Sequence, residues 1–432
     1  MKITKKYIAV LMMFFFIASY GQQVKKGEYG NFLLKGATLH TISQGNITAD
    51  LLIRDGLIAQ IGQNITAAEA TVISCVGKSV YPGFIDGGTR LGLSEVGSIS
   101  LTQDFSELGD INPHMQALTA VNPNAVAIPV TRTNGITTVI AMPAGGLIPG
   151  TAALIDLYGY TPEQMYGGFK GLLINFPTSA RRGRFDRRSD EEIKKAEEKA
   201  LKSLNEVWEK AVLYAKIDSS GKAQKMSMNQ YNPQLDAMLP ALRREMTVMI
   251  EVNKENDILN AIKWVKEKNI NAILTGVSEG FRVADEIAKS GIPVITGPVL
   301  AIPGRASDKY DAAYTNAGIM HKAGVKVAIR TSETENVRNL PFHAGFAAAY
   351  GLGKEEALKA ITLTPAEILG VADQYGSLEV GKKANLFVAD GDPFEMKTTI
   401  EYLFINGWNV PLESRHTLLY DEFLERSPGL NK

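Results

Sequence analysis

The stretch Tyr81-Pro82-Gly83-Phe84-Ile85-Asp86-Gly87-Gly88-Thr89-Arg90-Leu91-Gly92-Leu93 decides how the chain is read. Pro82-Gly83 is a turn signal, and Phe84-Ile85 opens a short apolar strand that an acid and a glycine pair bring to a sharp turn. Downstream, strand signals recur at Ile136–Met142, Gly171–Phe176, Thr247–Val252, Asn271–Thr275, Ile292–Thr296 and Lys326–Arg330. Helix signals fall between or after them: Asp190–Lys216, Asp257–Lys268, Arg282–Lys289, Asp311–Lys322, Asn336–Tyr350, Lys354–Ile361 and Pro365–Leu369. Such alternation predicts a parallel α/β architecture. With Gly83–Asp86 the strands number seven, and no eighth is assigned. Residues 82–370 match a TIM barrel with insertions, typically ~250 residues long, in which strand C-termini face the active site.

The flanks read differently. Phe32-Leu33-Leu34, Leu51-Leu52-Ile53, Leu57–Ile61 and Thr71-Val72-Ile73 are short apolar runs separated by Asp55-Gly56, Gly62-Gln63-Asn64 and Gly77-Lys78. These are β-hairpin signals. Matching runs, Ala384–Val388 and Ile400–Ile405, the latter followed by Asn406-Gly407, recur near the other end of the chain. The expected organisation is a (β/α)8 barrel, 82–370, inserted in a small composite β-sandwich formed by 22–81 and 371–415, with a peripheral tail at 416–432.

Of 432 residues, 45% are hydrophobic and 21% charged, and Lys+Arg and Asp+Glu are both 46. This balance gives no reason to expect nucleic acid or an anionic membrane as a partner. Met1–Lys6 is basic, Tyr7–Ala18 is apolar, and Ser19-Tyr20-Gly21 supplies small residues at the positions a signal peptidase reads. The run falls short of the ~20 apolar residues of a membrane span, so it predicts a signal peptide, 1–21, and a periplasmic or secreted protein with no anchor after cleavage. Cys75 is the sole cysteine, which excludes an internal disulfide.

Pro82-Gly83-Phe84-Ile85-Asp86 resembles the first barrel strand of the amidohydrolase superfamily, the metal-dependent C–N hydrolases. Gly135-Ile136-Thr137-Thr138-Val139 is similar to that superfamily's second strand. Glu355–Gly370 resembles its last helix pair, and Gly376-Ser377-Leu378-Glu379-Val380-Gly381-Lys382-Lys383-Ala384-Asn385-Leu386 and Asp390-Gly391-Asp392-Pro393 its return to the sheet. The likeness covers most of the mature chain and is nearest the imidazolonepropionase-like branch. It implies the barrel-plus-sandwich fold, zinc or another divalent metal as the usual cofactor, and hydrolysis of amides or cyclic amides.

The ligand positions depart from that pattern. In the family two His bind a metal after PGFID; here Gly88 and Arg90 stand in their places. Glycine has no ligand atom, and arginine is a permanent cation without a lone pair. The fifth-strand His corresponds to Glu251, a His after the sixth strand to Glu279, and the last strand shows Arg330 where an Asp belongs, with Glu333 the nearest acid. One carboxylate is not a zinc site. His40, His114, His321, His343 and His416 form no HxH or i,i+4 pair, and read as surface or capping residues; His114, in a mouth loop, is the exception to test. No metal cofactor is expected. Gly88, Arg90, Arg330 and Glu333 are the expected pocket residues, and Glu251, Glu279 and His114 the catalytic candidates. A buried charge needs a partner, and the expected pairing is Arg90 with Glu251 or Glu279.

Three further stretches are noted. Arg181–Arg188 is a basic run suited to an anion or to solvent. Met142–Gly146 is a glycine-rich mouth loop without the Gly-Lys-Ser/Thr of a P-loop. Tyr310 and Tyr314 are candidates for the pocket wall or for a packed helix face. The preferred functional reading is a non-catalytic homologue, a pseudoenzyme, binding a small molecule, a second copy of the chain or a paralogous amidohydrolase. The alternatives are a hydrolase of C–N bonds with a non-standard site, and a purely structural subunit.

Overall fold

A computed structural model describes residues 25–180, 186–223 and 231–426. The expected signal peptide and Arg181–Phe185 of the basic run lie outside the described residues.

The amino-terminal strands are β1 (Glu28–Tyr29), β2 (Phe32–His40), β3 (Asn46–Arg54), β4 (Leu57–Gly62), β5 (Thr71–Ser74) and β6 (Ser79–Pro82). The chain returns in β15 (Leu386–Ala389), β16 (Ile400–Ile405) and β17 (Trp408–Asn409). Among the described residues these form one nine-stranded sheet, ordered β1-β17-β16-β15-β6-β2-β3-β4 with β5 on β2. The seam between the two chain ends is β6 against β15, antiparallel, with Leu386 opposite Pro82 and Val388 opposite Val80. Phe32 of one end meets Phe404 of the other, ring centroids 5.1 Å apart, in a core with Leu34, Leu51 and Leu386.

Two tight hairpins brace this sheet. Asp55-Gly56 and Asn406-Gly407 each hold two consecutive positive φ angles, 52° and 79° in the first and 51° and 77° in the second. That is the two-residue turn whose twist suits antiparallel strands. The turns meet: a Cβ on Gly407 would lie 2.6 Å from Gly56 Cα.

The barrel strands are β7 (Phe84–Thr89), β8 (Ile136–Ala141), β9 (Gly150–Asp156), β10 (Tyr166–Asn175), β11 (Thr247–Val252), β12 (Ala272–Gly276), β13 (Val294–Thr296) and β14 (Val327–Ile329), paired in sequence order. The fold is therefore the expected TIM-like barrel with its composite sheet, and it departs from a uniform (β/α)8 pattern at the strand left unassigned. That strand is β9, antiparallel to both β8 and β10. Residues 142–149 are too few for a crossover helix, which a parallel partner requires, and enough for a reversal. The remaining barrel pairs, from β7–β8 through β13–β14, are parallel.

The barrel interior is filled by Ile85, Ile140, Leu154, Leu173, Met249, Ile273, Ile295 and Ala328, the layered packing of such barrels. Closure between β14 and β7 is made by the residues that follow β14: Ser332 N–H donates to the Gly88 carbonyl (3.1 Å) and Arg90 N–H to the Glu333 carbonyl (3.0 Å). The Asp86 carboxylate adds a side-chain clasp, accepting from Gly88 N (3.0 Å), Thr331 N (3.1 Å) and Thr331 Oγ1 (2.6 Å).

Because β9 runs backward, its last residue, Asp156, lies at the barrel floor against the composite sheet. It accepts from Thr138 Oγ1, Tyr375 Oη, Asn385 Nδ2 and Asn406 Nδ2 at 2.8–3.1 Å, and from Lys383 Nζ at 3.4 Å.

Candidate functional site at the barrel mouth

Strand C-termini converge on a pocket of about 300 Å³ lined by Gly88, Arg90, Met142, Asn175, Glu251 and Arg330, among others. Its centre is an ion pair. Arg330 Nη1 lies 2.8 Å from Glu251 Oε2, and Nη2 donates to Oε1 at 2.8 Å. This two-pronged contact between a planar fork and a carboxylate is the strong form of the interaction. Glu251 also accepts from Thr275 Oγ1 (2.8 Å) and Asn253 Nδ2 (3.2 Å). Burial works to raise its pKa; the Arg330 charge and these hydrogen bonds outweigh burial and hold it below the ordinary carboxylate value.

Glycines make room for the pair. A Cβ on Gly88 would sit 2.4 Å from Met142 Sδ and 3.1 Å from Arg330 Cδ. A Cβ on Gly276 (φ +84°) would sit 2.6 Å from Glu251 Oε1. The arginine therefore reaches across the mouth over a residue without a side chain, and Met142 Sδ faces its Nη1 at 3.7 Å. Arg330 Nε is buried and has no hydrogen-bond partner. Beside the pair, burial pushes the Asp86 carboxyl up to about 7, against the hydrogen bonds from Thr331 and Gly88 and the Arg330 charge.

Arg90 lines the same pocket but is exposed, with its guanidinium over the Phe105 ring, 4.6 Å from the centroid. The expected pairing is thus corrected: Arg330, not Arg90, meets Glu251. Arg330 comes from the strand adjoining β7 at the closure and has the open path over Gly88, while Arg90 lies past the end of β7, stacked on its own loop. Although the residue as a whole is exposed, its guanidinium is partly desolvated at the mouth, and this, then the neighbouring Arg330 charge, lowers the Arg90 pKa.

The other predicted residues disperse. Glu279 accepts from Lys254 Nζ (2.9 Å), Arg305 Nε (2.8 Å) and Glu255 N (3.0 Å), at the start of helix Glu255–Lys268. Burial opposes ionisation there, but the Arg305 and Lys254 hydrogen bonds carry its pKa down to about 2. It lines a neighbouring cavity and not the mouth pocket. Glu333 contributes its backbone to closure. His114 is half-buried away from the mouth lining, with an unpartnered Nδ1. His343 is not a surface or capping residue: it is buried, accepts the Val299 N–H at Nδ1 (3.1 Å), and burial lowers its pKa to about 4. Tyr314 packs on Phe346 and Tyr350, and Tyr310 is exposed.

Residues that sequence reasoning passed over are Asp86, Asn175, Asn253, Thr275 and Phe105. All but Phe105 are polar residues in barrel strands or just past their C-terminal ends, and that position was the available signal. Among the described residues no three His, Cys, Asp or Glu side chains come together as a metal-ligand group. At the mouth Arg330 holds Glu251, so the donor set does not fit a divalent ion.

The family model for the amidohydrolase family matches residues 79–410. An amidohydrolase named tasK from Hapsidospora irregularis is 22% identical over 399 residues, 83% of this chain and 39% of that protein. An imidazolonepropionase from Picrophilus torridus is 31% identical over 121 residues, 26% of this chain and 31% of the relative. The chain therefore spans well under two thirds of these curated relatives. Among solved structures, an amidohydrolase from Thermotoga maritima MSB8 superposes with a TM-score of 0.78 at 25% identity, covering 88% of this chain and 99% of the other.

Proposed function

The chain belongs to the amidohydrolase family, and from that premise we propose that it binds a small ligand at its barrel mouth without hydrolysing it by metal-activated water. The observation that carries this reading is the Arg330–Glu251 pair laid across the mouth. A metal centre generates its hydroxide by lowering the pKa of bound water, and needs several lone-pair donors with one open position. A fixed guanidinium at that place supplies positive charge without coordination, repels a divalent ion and engages Glu251, the carboxylate that lines the pocket.

The other reading, a hydrolase of C–N bonds with a non-standard site, needs a general base free to take a proton. Glu251 and Glu279 are both ion-paired, and His114 is off the mouth lining. The geometry therefore favours binding over turnover. Export belongs to the same proposal, supported by the basic start and apolar run before Gly21. A mature protein starting at Gln22 when recovered from a secreting host is the expected result, and an intact Met1 contradicts it.

The deciding experiment is elemental analysis of the purified protein with zinc and manganese supplied throughout, alongside turnover assays on cyclic amides. The expected outcome is far less than one ion per chain and no turnover. A stoichiometric ion accompanied by turnover overturns the proposal.

A further inference from the structure

We propose that the ligand of the mouth pocket is a small monocarboxylate with a short apolar body, gripped by Arg90. This rests on the reading of the mouth as a binding pocket and adds the chemistry of what it binds.

Charge comes first. Arg330 and Glu251 neutralise one another through a two-pronged contact. Among the residues that line the pocket, Arg90 then leaves one positive charge in excess. Its side chain makes no hydrogen bond or ion pair among the described residues; its guanidinium contact is the Phe105 face. A guanidinium held over an aromatic ring keeps its five N–H donors in a fixed plane, suited to a carboxylate that it can grip at both oxygens.

Size and wall set the rest. A cavity of about 300 Å³ lies at the small end for ligand pockets, which run ~300–1,000 Å³. Met142, Pro143, Ala144, Leu173 and Pro298 give it an apolar side. A ligand with two negative charges would bring one charge more than the pocket answers, and an unanswered charge away from water is costly. A single carboxylate on a body of a few carbons satisfies both limits. Inorganic phosphate, the other common small anion, lacks the apolar body and carries more charge near neutrality.

The test is calorimetric titration of the full mature chain with isovalerate, isovaleramide and inorganic phosphate, in the parent protein and in Arg90→Gln and Arg90→Lys. Isovalerate is expected to bind, isovaleramide and phosphate at least about tenfold more weakly, and Arg90→Gln to weaken isovalerate by at least about tenfold, as loss of a charge-assisted pair implies. Arg90→Lys should recover part of that loss, because charge returns without the fork. Isovaleramide binding as tightly as isovalerate, phosphate binding more tightly than isovalerate, Arg90→Gln without effect, or isovalerate failing to bind would each overturn the carboxylate assignment. The first and third of these leave a ligand pocket standing. Metal uptake with turnover removes the underlying reading instead, whatever isovalerate does.

Discussion

Arg330 crosses the barrel mouth through the space that Gly88 leaves open: a methyl group on Gly88 would sit 3.1 Å from Arg330 Cδ and 2.4 Å from Met142 Sδ. The glycine and the arginine are thus one structural unit, on two strands that meet where the barrel closes. Gly88→Ala is expected to destabilise the protein by about 1–3 kcal/mol, the usual cost of overfilling a packed site. Urea unfolding measures it, and a neutral result would mean that Met142 and Arg330 move aside freely.

Breaking the ion pair from one side should cost more than removing it whole. Arg330→Met leaves the Glu251 charge without its partner, and Glu251→Gln does the same to Arg330; each is expected to cost roughly 3–5 kcal/mol. The double variant should recover much of that loss. A double-mutant cycle by denaturant unfolding checks it: purely additive costs would show that the two side chains do not act as a pair.

Asp86 makes stability depend on pH with a sign opposite to that of the paired acids. Its folded-state pKa is raised to about 7 from an ordinary 3.8. The folded chain therefore holds a proton that the unfolded chain has released, and stability falls as pH rises through that window. Burial-neutralised His343, with its pKa near 4, works the other way below about pH 6.5. The difference between the parent and Asp86→Asn isolates the Asp86 contribution. The parent should lose on the order of a few kcal/mol relative to the variant between pH 4 and pH 8, and parallel pH profiles would refute the raised pKa.

Glu279 shows the usual sign. With its pKa carried down to about 2 from 4.5, it contributes stability that is complete above pH 4.5 and lost as pH falls toward 2. Glu279→Gln should destabilise by roughly 1–3 kcal/mol near neutrality, since Lys254, Arg305 and the Glu255 N–H lose a charged acceptor. Isovalerate binding at the mouth should be unchanged. Reduced binding in this variant would show that the neighbouring cavity and the mouth are coupled.

Much of the fold was legible because it is written in local signals. Asp55-Gly56 and Asn406-Gly407 announce hairpins by the φ angles that those residues accept, and Pro82–Asp86 announces the first barrel strand. Gly150–Asp156 escaped because no helix separates it from Ile136–Ala141, so an alternating count of strands and helices steps over it. The site was half legible. That Gly88, Arg90, Glu251 and Arg330 gather at one mouth follows from their places at strand ends. Which arginine meets Glu251 does not, because the answer depends on a missing Cβ on a third strand. Likewise the fate of Glu279 was set by Arg305: Pro303-Gly304-Arg305 reads as a mouth loop, but which acid a loop arginine reaches is not written in its spacing.

The seam between β6 and β15 also bears on how the protein is made. During synthesis β2 to β6 emerge early, while Leu386–Ala389, the strand that covers the open side of β6, arrives only after the entire barrel. Until then the Ser79–Pro82 edge stays uncovered, with its row of backbone donors and acceptors available to any other extended chain. The nascent protein therefore carries an adhesive edge for most of its assembly, and the strand that blunts it is among the last to leave the ribosome.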